Sequence, residues 1–179
     1  DLFLSKLKSL HFDFSDFSKE GRVPLSDVTK RLVDALDVKR VTKRFYQDFQ
    51  KMHLEFLSLI EGIDDEKDRR WYASVLLNRL MFIYFLQGKL FLDNGDARYL
   101  QNKLEQSKEK GKDIFYEVFL KALFFEGFAK PEDKRSKETK DLLGKIKYLN
   151  GGLFLRHRIE IEYKDIKIPD IAFENLLKL

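Results

Sequence analysis

The feature that most constrains the fold is the segment of residues 71–92, WYASVLLNRLMFIYFLQGKLFL, which is nearly all apolar or aromatic. Its longest apolar run, Leu80–Leu86, falls far short of the roughly 18–20 residues that cross a membrane, and Asn78 and Arg79 interrupt the segment. The segment therefore predicts a core helix of a globular domain. A helix that is apolar on nearly every side needs neighbours around it, so we expect the domain to be built around helix 64–88.

Composition favours a compact intracellular domain. The 179 residues are 44% hydrophobic and 36% charged, which excludes wholesale disorder. The absence of Cys removes disulfides and thiolate metal ligands, so we expect a cytoplasmic protein. The net charge of +4 is mild, so a nucleic-acid role must rest on where the charges lie. The chain starts without Met and stops within a helical pattern, which suggests a piece of a longer protein.

An amphipathic helix is predicted just before the central one. Its apolar residues recur every three or four positions, which places them on one stripe: Val38, Val41, Phe45, Phe49, Met52, Phe56 and Ile60. The opposite face carries four basic residues in two successive turns: Lys39, Arg40, Lys43 and Arg44. A solvated surface is the plainer interpretation of these charges, and contact with the phosphates of DNA is the functional one.

Three carboxylates come directly before the central helix. Asp64, Asp65 and Glu66 could suggest a metal site. Acidic residues at a helix start are, however, favoured by the free amides and by the dipole of the first turn. We therefore predict that these residues cap the central helix.

The remaining segments complete a mainly helical prediction. In chain order they are a helix capped by Ser26 over residues 27–36, a turn at 93–96, a polar helix over 97–111, an amphipathic helix over 114–125, an exposed and mobile loop over 130–140, an extended strand over 158–169 and a last helix from Pro169. The predicted fold class is all-α, an orthogonal bundle around helix 64–88 with a small irregular or β-hairpin segment near residues 148–168.

One short motif has the spacing of a magnesium nuclease. Glu162 and Lys164 lie two residues apart on the predicted strand, and would share one of its faces. The upstream acid that such a site needs is Asp133, which falls in the loop predicted to be mobile. A mobile loop does not hold a metal ligand in place, so we give this interpretation little weight.

No other local pattern predicts an active site. The three histidines share no metal-ligand spacing; they are His11, His53 and His157. The glycines of residues 150–152 are not followed by the Gly-Lys-Ser/Thr of a phosphate-binding loop. We therefore predict no catalytic residue and no metal ligand in this chain.

Two groups of sequence blocks carry a resemblance. The first group is RVTKRFYQDF and RRWYASVLLNRLMFIYFLQGKLFLD, and the second is YLNGGLF and IKIPDIAFENLL. They resemble the region upstream of the catalytic domain in bacterial adenine-specific DNA methyltransferases. The similarity is greatest to single-chain type II restriction–modification enzymes, which fuse nuclease, methyltransferase and target recognition. It covers residues 22–179, and the order and approximate spacing of the blocks agree.

The resemblance implies a parent protein that transfers a methyl group from S-adenosylmethionine to N6 of a target adenine in duplex DNA. The family's signatures for that chemistry are a glycine-rich cofactor loop and an Asn-Pro-Pro-Tyr motif, and this sequence has neither. Residues 1–21 have aromatic side chains but no sustained period, so we expect an irregular connector there. The resemblance implies that residues 22–179 are a helical connector domain with no cofactor of its own. The implied partners are the parent's methyltransferase and N-terminal domains and, through them, DNA, with no membrane.

The resemblance implies that this chain docks to those domains. The candidate docking residues are the two polar residues of the central helix and the residues of the glycine turn: Asn78, Arg79, Asn150, Gly151 and Gly152. If Asn78 and Arg79 are buried, they need hydrogen-bonded partners. The alternative is a free-standing helical protein-interaction module that is unrelated to methylation.

Overall fold

The computed structural model describes residues 28–29, 38–149 and 151–178, and this part of the chain is helical without a β-sheet. The predicted all-α class is confirmed. The chain divides into two compact units, residues 1–50 and residues 51–179. Val28 and Thr29 are helical, and the rest of the helix predicted over 27–36 lies outside the described residues. The boundary predicted between residues 21 and 22 also lies outside them.

Three α-helices lie between residues 38 and 110, and all three were predicted from the sequence. They are α1, Val38–Ser58; α2, Glu66–Gly88; and α3, Tyr99–Lys110. Asp65 caps α2, because its carboxylate accepts a hydrogen bond from the backbone N–H of Asp68 at 2.8 Å. The predicted capping role is therefore confirmed for Asp65, and Glu66 lies in the first turn. No helix among the described residues is long and apolar enough to cross a membrane.

The amphipathic helix predicted over 114–125 has an unusual geometry. It consists of two π-helical segments, Phe115–Leu120 and Leu123–Phe128, which we call together the wide helix. Its backbone bonds run five residues apart, as between the N–H of Ala129 and the carbonyl of Phe124. The wide helix packs against α3, and most of its aromatic rings are buried in the core.

The segment predicted as an exposed, mobile loop over 130–140 is largely exposed, but the expectation of a loop is wrong because it contains regular secondary structure. Glu132–Lys134 is a 3₁₀ turn, and Lys137–Leu143 is helix α4, which the Ser136 side chain caps. Arg135 is buried between them and donates hydrogen bonds to three backbone carbonyls, those of Gly127, Lys130 and Ile146. A single arginine thus holds a segment that has no apolar residue.

The strand predicted over 158–169 is also wrong, and of the irregular or β-hairpin segment predicted near residues 148–168 the structure has the irregular form. Arg158–Glu162 is a short helix, α5, and only Lys167 makes an isolated antiparallel bridge, with Glu61. His157 and Glu160 form a capping box at the start of α5. Two isoleucines alternate here as in a strand, but the local cap and the partner of Glu160 favour the helix.

The last helix begins where the sequence predicted it. Helix α6 spans Asp170–Leu177 directly after Pro169 and packs against α3. The buried carboxylate of Asp170 accepts hydrogen bonds from the backbone N–H groups of Asp113 and Phe115, both at 3.0 Å. These bonds join the start of α6 to the start of the wide helix.

Candidate functional site

The structure brings one ion pair into the core, between α2 and α5. Arg79 and Glu160 are only 1% and 5% exposed, and their closest approach is 2.6 Å. The guanidinium binds both oxygens of the carboxylate. It also donates to the backbone carbonyls of Leu153 and Leu155, each at 2.8 Å. Every polar edge of Arg79 is therefore satisfied inside the domain, as a buried charge requires.

Two tyrosine hydroxyls extend this network. Tyr72 donates to Glu160 Oε1 at 2.9 Å, and its oxygen lies 2.5 Å from the hydroxyl of Tyr116. Because the carboxylate only accepts, the hydrogen between the two hydroxyls comes from Tyr116. Burial raises the pKa of both tyrosines above the ordinary value of 10.0, so both are neutral acids in the folded domain.

The network holds the loop before α5 against α2. Besides the two carbonyl bonds from Arg79, the indole N–H of Trp71 donates to His157 Nε2 at 3.1 Å. The ring centroids of Phe82 and Phe154 are 6.0 Å apart. Residues 151–157 are therefore fixed along one side of the central helix.

One face of α2 is left uncovered by the residues that the structure describes. We define the α2 face by its exposed residues, whose fractional exposures are 62% for Trp71, 48% for Met81, 37% for Phe82 and 54% for Phe85, with the exposed Asn78 among them. The expectation that neighbours surround this helix is wrong on this side. From Trp71 to Phe85 the face is about 21 Å long at the helical rise.

The α2 face carries no charge. Arg79 is the only charged residue between Trp71 and Gly88, and it is buried in its ion pair with Glu160. Asn78 is the polar group at the middle of the face, seven residues from each end. A charge-free helix face of this length is typical of a surface that contacts another protein surface.

The residues predicted to dock lie in different environments. Asn78 is exposed on the α2 face, whereas Arg79 is buried and fully bonded, so it positions the neighbouring loop and does not face outward. Gly151 and Gly152 are exposed on that loop. Asn150 lies outside the described residues.

The basic residues predicted to contact DNA lie on α1. The backbone of Lys39, Arg40, Lys43 and Arg44 is helical, and their side chains are outside what the structure describes. Their DNA contact stays a prediction.

The premise of the nuclease interpretation is wrong. Glu162 ends helix α5 and pairs with Arg158, and Lys164 follows in a turn, so no strand carries the two residues. Among the residues that the structure describes, no group of three or more His, Asp or Glu side chains could hold a metal ion.

Sequence reasoning missed the partner of Arg79 and the exposure of α2. Glu160 was hidden in the alternation of residues 158–162, although an arginine inside an apolar run signals that some acid must reach it. The sequence indicates less clearly that one face of α2 is exposed than that Arg79 has an acidic partner. Seen by helical period alone, α2 has large apolar residues on every side, and the period does not tell which of them a neighbour covers.

The comparisons with known proteins give a family and one relative. A family described as "Domain of unknown function (DUF7814)" matches residues 70–179, which is more than half of the chain, and the chain belongs to this family. It is also related to a Methanocaldococcus jannaschii protein named as a candidate type II restriction enzyme and methyltransferase, with 36% identity over 100 residues. That match covers 54% of this chain and 8% of the relative, so the matched segment is a small part of the relative's length. No solved structure matches the chain.

Proposed function

We propose that this chain is a non-catalytic helical domain of a restriction–modification DNA methyltransferase. The proposed parent transfers a methyl group from S-adenosylmethionine to N6 of adenine in DNA, and this domain docks or spaces its catalytic domain. The relationship to the M. jannaschii protein supports the class of parent. The single observation that carries the docking role is the uncharged α2 face.

Burial of the α2 face would supply the free energy for docking. Apolar surface contributes about 25 cal/mol per Å² when it leaves water, so covering about 400 Å² contributes on the order of 10 kcal/mol before the costs of association. The α2 face has no charged group that would need an oppositely charged partner. Its occupant is therefore an equally apolar surface of the catalytic domain, with one polar group for Asn78.

Two glycines beside the α2 face extend the same surface. A Cβ on Gly151 or Gly152 would meet no atom within 4 Å, and Gly151 has an extended backbone with φ −150° that any residue adopts. Nothing within the domain requires glycine at these positions. Residues without a side chain let another surface approach the backbone closely, which supports docking across the loop as well as along α2.

Replacing Met81 and Phe85 together with Ser should leave the fold of this chain unchanged, because both side chains are about half exposed. In the proposed parent, the same change should lower DNA methylation at least tenfold, since truncating a hot-spot residue at the centre of an interface costs about 2 kcal/mol or more. Circular dichroism of the chain and transfer of labelled methyl groups by the parent measure the two effects.

The matched control replaces Val118 and Ile171 with Ser. These residues are 46% and 45% exposed and lie on the wide helix and on α6. The control variant should methylate DNA as the unchanged parent does. Full methylation by the Met81→Ser/Phe85→Ser parent would contradict docking through α2.

The basic face of α1 adds a proposed contact with DNA backbone. Changing Lys39, Lys43 and Arg44 together to Gln should lower the slope of log affinity against log salt by about 2.7, if each residue neutralises one phosphate. The affinity of the parent for duplex DNA, measured at several salt concentrations, tests this. An unchanged slope would assign these residues to the solvated surface.

The alternative, a free-standing helical protein-interaction module, would use the same α2 face. The reading frame beyond Leu179 separates the two proposals. A glycine-rich cofactor loop and an Asn-Pro-Pro-Tyr motif there would support the methyltransferase parent, and their absence would support the free-standing module.

A further inference from the structure

A second surface feature lies on the other side of α5. It is a cleft of about 340 Å³ between the wide helix and the segment that follows the glycine loop. Tyr116 and Phe125 form part of its wall, both almost fully buried. Its polar lining includes three basic side chains: Lys121, Arg156 and Lys164. Aromatic walls with several cations are the composition of a site for an anionic group.

The guanidinium of Arg156 is held in place without an acidic partner. Its central carbon lies 4.3 Å from the centroid of the Phe125 ring, which is close enough for a cation–π contact. Across the described part of the chain, no carboxylate pairs with Arg156 or with Lys164. Stacking on a buried ring leaves the forked N–H edge of Arg156 free to bind two oxygens of a ligand.

The one acidic residue that lines this cleft is already neutralised. Glu160 lines the cleft, but its oxygens accept bonds from Arg79, Tyr72 and the backbone of His157. Glu117 pairs with Lys121. The two remaining cations, Arg156 and Lys164, give the cleft a net charge of about +2, which fits a phosphate group better than a single carboxylate.

We propose that this cleft binds a phosphate group, with Arg156 as the forked ligand and Lys164 as the second charge. Phosphate diesters of a nucleic-acid backbone and free phosphate offer the same chemistry. This site uses residues outside α1 and the α2 face, and it does not depend on the methyltransferase proposal. Binding of either a nucleic-acid backbone or free phosphate would support the proposal.

The test uses the whole 179-residue chain and two probes, inorganic phosphate and a fluorescent DNA duplex of about 20 base pairs. The variant Arg156→Gln/Lys164→Gln should weaken phosphate binding at least tenfold in calorimetry. If the duplex is the source, the same variant should lower the slope of log affinity against log salt by about 1.8, because two phosphate contacts are lost. Phosphate binding with no duplex binding identifies free phosphate as the source.

A matched control variant removes the same number of positive charges at a different place on the surface. Lys137→Gln/Lys140→Gln removes two exposed cations of α4 and should leave both probes unaffected. Arg156→Lys retains the charge and should keep most of the salt slope. The proposal is overturned if neither probe binds, if the control variant weakens binding as much as Arg156→Gln/Lys164→Gln, or if duplex binding responds only to the α1 variant and phosphate does not bind.

Discussion

Replacing Arg79 with Met should lower the free energy of unfolding by about 3–5 kcal/mol, because removing one partner leaves the other charge of a buried pair uncompensated. Glu160, which is 5% exposed, would keep its charge away from water. The carbonyls of Leu153 and Leu155 would lose their donors as well. Urea denaturation followed by circular dichroism measures the loss.

Two further variants separate the charge effect from loss of packing. The double variant Arg79→Met/Glu160→Met removes both charges and should recover part of the lost stability, since the uncompensated charge is gone while the carbonyls of Leu153 and Leu155 still lack their donors. Arg158→Gln serves as the control, because this arginine pairs with Asp68 and Glu162 on the exposed surface and should leave stability unchanged. A single Arg79→Met variant as stable as the unchanged chain would contradict the structural role of the pair.

Stability should fall steeply above pH 10 because of three buried tyrosines. Burial raises the pKa of Tyr72, Tyr99 and Tyr116 above the ordinary value of 10.0. In the unfolded chain these hydroxyls lose their protons above about pH 10, whereas in the folded chain they keep them up to the raised pKa. The unfolded state then binds fewer protons, so stability decreases as pH rises through this window.

The expected size of this alkaline effect follows from the number of protons. Each tyrosine contributes a fall of about 1.4 kcal/mol per pH unit, so three contribute about 4 kcal/mol per unit within the window. Below pH 10 their contribution is fully present. Urea denaturation from about pH 9 to about 11 measures the slope.

A variant identifies the source of the alkaline slope. Tyr99 donates to the carbonyl of Leu143 in the core, and Tyr99→Phe should reduce the slope by about one third of its value. Tyrosinate absorbance offers a second measurement, because three of the seven tyrosines should ionise only when the chain unfolds. A stability profile that stays flat above pH 10 would contradict the neutral state of these residues.

Sequence alone determined where the long helices lie. The apolar spacing near 3.6 residues in α1, and the short apolar segment of α2 with its carboxylate cap at Asp65, are local signals, because they depend on neighbouring residues in the chain. The same holds for the turn at Gly95, whose φ of +92° needs a residue without a Cβ. These features were predicted correctly because no distant residue decides them.

Only tertiary structure decided the two short segments that were predicted wrongly. Residues 158–162 alternate like a strand, yet Glu160 must meet Arg79, which lies 81 positions earlier in the chain. Residues 130–140 contain no apolar residue, yet Arg135 anchors them to carbonyls of the wide helix and of the chain after α4. A sequence window does not contain the partner of a buried charge, so it does not show where that charge orders the backbone.

The same distinction between local sequence and tertiary packing applies to the candidate binding surfaces. The apolar content of α2 and the basic residues of α1 are visible in the sequence. Which side of α2 faces water, and that Arg156 stacks on Phe125 beside Lys164, depend on how the helices pack. Local periodicity determined the helices, and the packing of distant segments decided which of their side chains stay free to bind a partner, because burial is a property of the whole fold.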